Sequence, residues 1–138
     1  MIKFYKAKGA LQIRLLPPRM NEKGYLDKEG ALLLEAAPGT GSRQNPSWNW
    51  DQKISFAISV ADIMAMCDDD TVDIFHKSKD TPKKLQVNPG QQSGYFLSLA
   101  QGKGSNRHQV SVPLTDGEWR VLIKVFVDMI PTLVGWYE

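Results

Sequence analysis

The chain has 138 residues, 42% of them hydrophobic and 23% charged, with a formal net charge of +2 at pH 7. This length predicts one domain over residues 1–138, with enough core to fold without disulfides. Cys67 is the only cysteine, which excludes an intrachain disulfide and a cysteine-based metal site, and no apolar run approaches the ~18 residues that span a bilayer.

The N-terminal residues run directly into a basic segment and show neither a secretory signal nor a transit peptide. We therefore expect an intracellular protein with no membrane partner; its compartment stays open, and an organelle is one alternative if a transit peptide has been removed.

The first predicted strand combines an aromatic residue with a short basic run. Lys6 and Lys8 are two residues apart, so in a strand they share one face, with Tyr5 and Ala7 on the other. Residues 1–20 carry five cations and no acid. Such a local positive field in a nearly neutral chain suits the binding of a polyanion, although a solvated basic face without a ligand gives the same pattern.

Three further strand patterns and a helix complete the first half. Residues 10–15, 30–37 and 53–58 read as strands, separated by a polar turn region at 21–28 and by a loop rich in Gly, Pro, Ser and Asn at 38–47. Ser59 and Asp62 predict a capped helix that ends at the acidic residues 68–70. Its predicted apolar side consists of Val60, Ile63, Met64, Met66 and Cys67. Because Cys67 belongs to this apolar side, we expect its thiol to be buried and inert.

The second half repeats this plan. Residues 71–76, 84–87, 95–99 and 109–112 read as short strands. Thr115 and Glu118 form a capping box that opens the last helix, Pro131 shortens it, and Gly135 suits the position after its end. Four strands, a helix, four strands and a helix predict an α+β fold in which two sheets pack face to face.

Binding of single-stranded nucleic acid requires aromatic platforms beside a basic groove. The candidate platforms are Tyr5, Tyr25, Trp48, Trp50, Phe75 and Tyr95. The candidate phosphate partners are Lys6, Lys8, Lys28, Arg43, Lys53, Lys77 and Lys103, and the candidate hydrogen-bonding groups are Gln44, Asn45, Asn49 and Asn106. Each aromatic residue has core or interface packing as its alternative role. We expect the core to contain Phe56, Phe96 and Phe126, and helix or interface packing to use Trp119 and Trp136.

The sequence offers no catalytic or cofactor site. His76 and His108 are its only histidines, and it contains no Walker loop, no Gly-x-Gly-x-x-Gly and no nucleophile elbow. Asp68-Asp69-Asp70 lacks the spacing of a calcium loop. We therefore expect a protein that is not an enzyme and that holds neither metal nor cofactor.

An ordered set of motifs resembles the Whirly family of single-stranded-DNA-binding proteins. Residues 6–11 read Lys-Ala-Lys-Gly-Ala-Leu, close to the family's Lys-Gly-Lys-Ala-Ala-Leu, with the Gly and one Ala exchanged. Arg43-Gln44 with Trp50 and Lys53, Phe75-His76, residues 95–99, and Pro131 to Trp136 resemble further family motifs in the same order.

This resemblance implies two four-stranded antiparallel sheets packed crosswise, with single-stranded DNA along them and little demand on sequence. It also implies a homotetramer built through the last helix and the tail, with Trp119, Leu133 and Trp136 at the interface. Larger assemblies would involve Lys8, the second lysine of the signature. Two alternatives remain open: an RNA-binding or RNA-annealing protein of the same fold, and a protein-interaction module with an incidental basic strand.

Overall fold

A computed structural model describes residues 1–77 and 81–136. In chain order its strands are β1 (Ile2–Lys6), β2 (Gly9–Leu16), β3 (Arg19–Met20), β4 (Leu26–Lys28), β5 (Ala31–Pro38), β6 (Ile54–Ile58), β7 (Val72–Lys77), β8 (Pro82–Pro89), β9 (Tyr95–Gln101) and β10 (His108–Leu114). Its helices are α1 (Val60–Asp68), α2 (Asp116–Asp128) and α3 (Ile130–Leu133).

Sheet 1 is antiparallel and has the strand order β1-β2-β5-β6. Its register aligns Phe4 with Leu11, Leu11 with Ala36, and Ala36 with Ile54, so one face of the sheet is apolar. The alternation of apolar and polar residues along β2 therefore produces the half-buried strand that the sequence predicts.

Sheet 2 is also antiparallel, with the order β10-β9-β8-β7. Val112 aligns with Leu97, Leu97 with Val87, and Val87 with Val72, and all four side chains are buried. The two apolar faces meet: β10 packs against β2 and β5, while β6 packs against β8 and β9. Each of these strands contacts two strands of the opposite sheet, so the two sheets pack face to face. The predicted α+β fold with two four-stranded antiparallel sheets is confirmed.

Local sequence signals set the helix boundaries. Ser59 and Asp62 cap α1 reciprocally, and Thr115 and Glu118 do the same for α2, so both predicted capping boxes are confirmed. α2 ends at Asp128, and the turn that contains Pro131 forms the separate short helix α3. No helix in the described part of the chain is long and apolar enough to cross a membrane.

Two expectations for α1 are wrong. Only Val60, Ile63 and Met66 of this helix are buried, while Met64 and Cys67 are exposed. Buried residues spaced three apart define a narrow stripe on a nine-residue helix, and the two neighbouring positions fall on its solvent side. The thiol of Cys67 is therefore accessible.

β3, which precedes the polar turn region predicted at 21–28, and β4, which lies within it, pair as a small ribbon that the sequence did not indicate. The end of the chain folds back beside it: the backbone N–H of Gly30 donates to the carbonyl of Leu133 at 2.8 Å. Gly135 has a φ of +71°, and a Cβ there would lie 2.8 Å from the Sδ of Met20. The positive φ favours glycine after the last helix, as predicted, and a larger residue would also displace the flexible side chain of Met20.

Candidate nucleic-acid interface

The strand residues that alternate with the core form two outer faces. The outer face of sheet 1 includes Lys3, Tyr5, Ala10, Gln12, Arg14, Leu33, Glu35, Ala37, Ser55 and Ala57. The outer face of sheet 2 includes Asp73, Phe75, Lys77, Lys84, Gln86, Phe96, Ser98, Ala100, Gln109 and Ser111. Each face therefore combines aromatic, cationic and amide side chains.

An aromatic pair lies at one end of the outer face of sheet 1. The ring centroids of Tyr5 and Trp48 are 4.8 Å apart, with planes tilted by 51°. The Nε1–H of Trp48 donates to the carbonyl of Lys6 at 2.8 Å, which fixes the indole beside β1. Tyr5 pairs across the sheet with Ala10, which pairs in turn with Ala37. Both alanines are fully buried and small enough to leave room for aromatic rings above them. Tyr5 remains 50% exposed and can offer a ring to a stacking ligand.

A cluster of Gln12, Arg14, Glu35 and Lys53, the Glu35 cluster, lies beside this pair. Glu35 is 1% exposed, although it is on the outer face. Its Oε1 lies 2.7 Å from the Nε of Arg14 and accepts from the Nε2 of Gln12 at 3.0 Å, and its Oε2 lies 2.6 Å from the Nζ of Lys53. The predicted phosphate partner Lys53 is therefore paired with a carboxylate.

Opposing effects set the pKa of Glu35. Burial by itself raises the pKa, but hydrogen bonds from Lys53 and Gln12 and the charges of Lys53 and Arg14 outweigh it. The pKa consequently lies below its ordinary value of 4.5, and Glu35 is ionised at neutral pH.

The prediction that Lys6 and Lys8 share one strand face is wrong. β1 ends at Lys6, which pairs with Gly9, so Ala7 and Lys8 form the hairpin turn. Lys8 is exposed in this turn. The Nζ of Lys6 donates instead to the Oε1 of Glu118 at 2.8 Å, although the two residues are 112 positions apart in the sequence. Lys6 thus points to the start of α2, away from the outer face.

Glu118 serves two partners at this contact. Its Oε1 also accepts the backbone N–H of Thr115 at 2.8 Å as part of the capping box. Burial raises the pKa of Glu118, and the interactions with Lys6 and Thr115 more than compensate, so the pKa lies below its ordinary value.

The outer face of sheet 2 contains a groove of about 380 Å³, lined by Phe75, Pro82, Lys83, Lys84, Ala100, Gly102, Lys103 and Arg107. Phe75 is 59% exposed in it. The Nζ of Lys83 donates to the carbonyl of Ser55 at 2.7 Å and so links the sheets, while the Nζ of Lys84 lies 3.5 Å from Asp73. The groove thus combines the ring of Phe75 with three cations that solvent can reach, Lys84, Lys103 and Arg107. Such a combination can bind a base by stacking and its phosphates by charge.

Strand parity separates two adjacent aromatic residues of β9. Tyr95 aligns with Leu114 and packs against Trp119 on the core side, with ring centroids 5.7 Å apart. Phe96 aligns with Pro113 and is 42% exposed on the outer face of sheet 2. The expectation that Phe96 is a core residue is therefore wrong, and Tyr95 does not lie on an outer face.

The other candidate binding residues lie mainly at loops and strand ends. Tyr25 and Lys28 are exposed on the β3–β4 ribbon, Trp50 is half-buried in a short 3-10 helix, and Lys77 is exposed at the end of β7. Exposed loops carry Arg43, Gln44, Asn45, Lys103 and Asn106, and Asn49 is half-buried. Of these, Lys77 and Lys103 adjoin the outer face of sheet 2.

Two of the three predicted interface residues belong to the protomer's own core. Trp119 and Leu133 are buried, because α2 and α3 turn their apolar stripe toward the sheets. Trp136 is 79% exposed. Val121 and Val127 of α2 are exposed as well, so apolar surface on this side of the chain remains uncovered.

Sequence reasoning did not select several residues of the outer faces: Arg14, Lys84, Phe96 and Arg107. Arg14 and Lys84 each alternate with buried or partly buried residues of their strands, so period-two patterning was the signal that could have identified them. Within residues 1–77 and 81–136, His, Cys, Asp and Glu side chains form no group of three or more that could hold a metal ion.

Comparison with known proteins yields a consistent set of relatives. The family model described as "Whirly transcription factor" matches residues 4–125. The single-stranded DNA-binding protein WHY3, chloroplastic, of Arabidopsis thaliana is 36% identical in an alignment that covers 96% of this chain and 55% of the relative. The mitochondrial WHY2 of the same plant is 31% identical, with 96% and 61% covered. This chain thus spans about half the length of the first relatives.

The fold has equally clear counterparts. The crystal structure of WHY3 from Arabidopsis thaliana superposes with a TM-score of 0.86 at 32% identity, covering 98% of this chain and 88% of that chain. The structure of the plant transcriptional regulator PBF-2 superposes with a TM-score of 0.84 at 28% identity, covering 98% and 82%.

Proposed function

The chain belongs to the Whirly family, and from that membership we propose that it binds single-stranded DNA along the outer faces of its two sheets, without catalysing a reaction. Relatives that cover nearly all of this chain are named as single-stranded DNA-binding proteins. The proposed role is to protect or organise exposed strands in replication, repair, recombination or transcription.

The observation that carries this proposal is the pairing of exposed aromatic rings with cations on both outer faces. Tyr5 lies beside Trp48 and near the Glu35 cluster on sheet 1, and Phe75 lies in the basic groove of sheet 2. A single strand exposes its base faces and a continuous phosphate track, which match rings and cations respectively. Stacking accepts any base, so this arrangement favours binding with little sequence specificity.

The geometry disfavours readout of a duplex. α2 is the longest helix of the described chain, and its buried residues Trp119, Leu122 and Phe126 commit one side of it to the core. Asp116 and Glu118 place acids in its first turn, the part that a recognition helix usually presents to bases. In a duplex, moreover, the base faces are stacked on each other and unavailable to Tyr5 or Phe75.

A competition titration tests the proposed function. A labelled, unstructured DNA strand is bound at two salt concentrations and displaced by an unlabelled strand, by the blunt duplex, or by RNA of the same sequence. We expect the DNA strand to compete best and its affinity to fall as salt rises. Equal competition by the duplex refutes single-strand selectivity, superior competition by RNA favours the RNA-binding alternative, and no salt-sensitive binding favours a protein-interaction module.

We further propose that the chain assembles as a homotetramer. Trp136, Val121, Val127 and Met64 are exposed apolar residues of the tail and helices, and such surface commonly marks an interface. Closed symmetry is the usual solution for identical chains. Four copies would join four pairs of outer faces, so that one strand engages several sites at high effective concentration.

A further inference from the structure

The outer face of sheet 1 contains one acidic strand residue, Glu35, and the part of the chain that forms this sheet is fully described. Its neighbours across the ladder are Gln12 and Ser55, both polar, and its side chain lies on the side opposite the core. Nothing in the apolar core therefore requires a carboxylate at this position. An acid in the middle of a surface suited to a polyanion calls for a physical explanation.

The two cations nearest to Glu35 both rest on its carboxylate. Arg14 approaches one oxygen at 2.7 Å through Nε, which leaves its two terminal nitrogens free of this contact, and Lys53 approaches the other oxygen at 2.6 Å. Both side chains remain nearly half exposed. They can thus donate to a phosphate above them while the buried carboxylate lies beneath.

The net charge of the Glu35 cluster determines how many phosphates it can neutralise. Arg14 and Lys53 together carry +2, and Glu35 reduces the charge of the Glu35 cluster to +1. A phosphate that binds to the cluster meets one excess positive charge, and a second phosphate meets none. The number of counterions released from a bound strand follows the number of phosphates neutralised.

On the basis of the proposed function, we propose that Glu35 limits the Glu35 cluster to the neutralisation of one phosphate instead of two, by holding Arg14 and Lys53 on its carboxylate. Glu35 is a positioning residue that touches the cations and not the nucleic acid. It lowers both the affinity for a single strand and the salt dependence of binding.

The test variant is Glu35→Gln, which preserves the size of the side chain and one acceptor oxygen, enough for Arg14 and Gln12 on one side or for Lys53 on the other. Removing the charge should steepen the slope of log K against log salt by about 0.7, the value for one additional phosphate of a single strand. With parent and variant binding equally at about 1 M salt, where log salt is zero, this slope raises the affinity about 8-fold at 50 mM salt and about 3-fold at 200 mM.

A matched control separates the local effect from a change in net charge. Asp68→Asn changes the net charge by the same amount at the exposed end of α1, a helix that is not part of the outer face of sheet 1. It should leave the slope at the parental value. The double variant Glu35→Gln/Arg14→Gln restores a cluster charge of +1, so its slope should return to the parental value.

Thermal unfolding of every variant shows whether it is folded under the conditions of the titration. If Glu35→Gln does not fold, Arg14→Gln alone decides: it should lose about 0.7 of slope, and a parental slope overturns the inference. If Glu35→Gln folds and binds with parental or weaker affinity and slope, Glu35 does not limit binding, although the proposed function stands. A parental protein without salt-dependent single-strand binding overturns both.

Discussion

Replacing Phe75 by alanine tests whether the groove on sheet 2 is a binding surface. Phe75 lies on the outer face of β7, 59% exposed, within a groove that also contains Lys84, Lys103 and Arg107. Loss of one stacked base costs about 1–3 kcal/mol, or about 5- to 150-fold in Kd. Most of the ring contacts solvent in the free protein, so Phe75→Ala should change the free energy of unfolding by no more than about 0.5 kcal/mol.

The adjacent residue supplies a matched control. Ile74 is on the same strand but points to the core side, where it packs against buried residues. Ile74→Ala should therefore cost about 2 kcal/mol in stability, less than a fully buried isoleucine, and leave the Kd near the parental value. Phe75→Tyr keeps an aromatic ring and should restore most of the affinity that Phe75→Ala loses.

The assay is fluorescence anisotropy with a labelled, unstructured DNA strand at fixed salt. It is combined with thermal unfolding at one protein concentration, because the proposed assembly would make stability depend on concentration. If Phe75→Ala binds as tightly as the parent, the groove is not a stacking site. If it loses stability as Ile74→Ala does, the placement of Phe75 on the outer face is wrong.

Three further predictions concern strand parity, pH and assembly. Phe96→Ala should weaken single-strand binding and spare stability, whereas Tyr95→Ala should do the opposite; reversed outcomes in anisotropy and thermal unfolding would contradict the register. The folded-state pKa values of Glu35 and Glu118 lie below the ordinary 4.5, so the contribution of these groups to stability is present above that pH and is lost as the pH falls through the folded values. Denaturant unfolding should therefore show a free energy of unfolding that declines below about pH 4.5, and Glu35→Gln should reduce this decline. If Val121 lies in the interface of the proposed homotetramer, Val121→Asp should dissociate it, because a carboxylate would be desolvated there; equal masses for parent and variant in light scattering would exclude this surface.

The sequence by itself determined the features that depend on near neighbours. Period-two patterning located the strands, because successive side chains of a strand point to opposite faces whatever lies around it. The pairs Ser59–Asp62 and Thr115–Glu118 predicted two helix starts, because a capping box is satisfied within four residues. The ordered motifs likewise indicated the family and, with it, the arrangement of the sheets.

Tertiary structure alone decided which face of a strand meets the core and which distant groups pair. Tyr95 and Phe96 are adjacent and both aromatic, so periodicity could not tell which one is exposed; the register of β9 with β10 and the position of Trp119 decided it. Lys6 was expected among the phosphate partners, yet it pairs with Glu118 in the first turn of α2, 112 residues away in the sequence, a contact that only the folded chain brings about. Glu35 looked like one acid in an apolar run, and its burial under Arg14 and Lys53 arises because β2 and the start of β6 flank β5. Contacts of this kind join residues that are far apart in the sequence. Which cation pairs with which carboxylate is therefore decided only when the sheets and helices have come together.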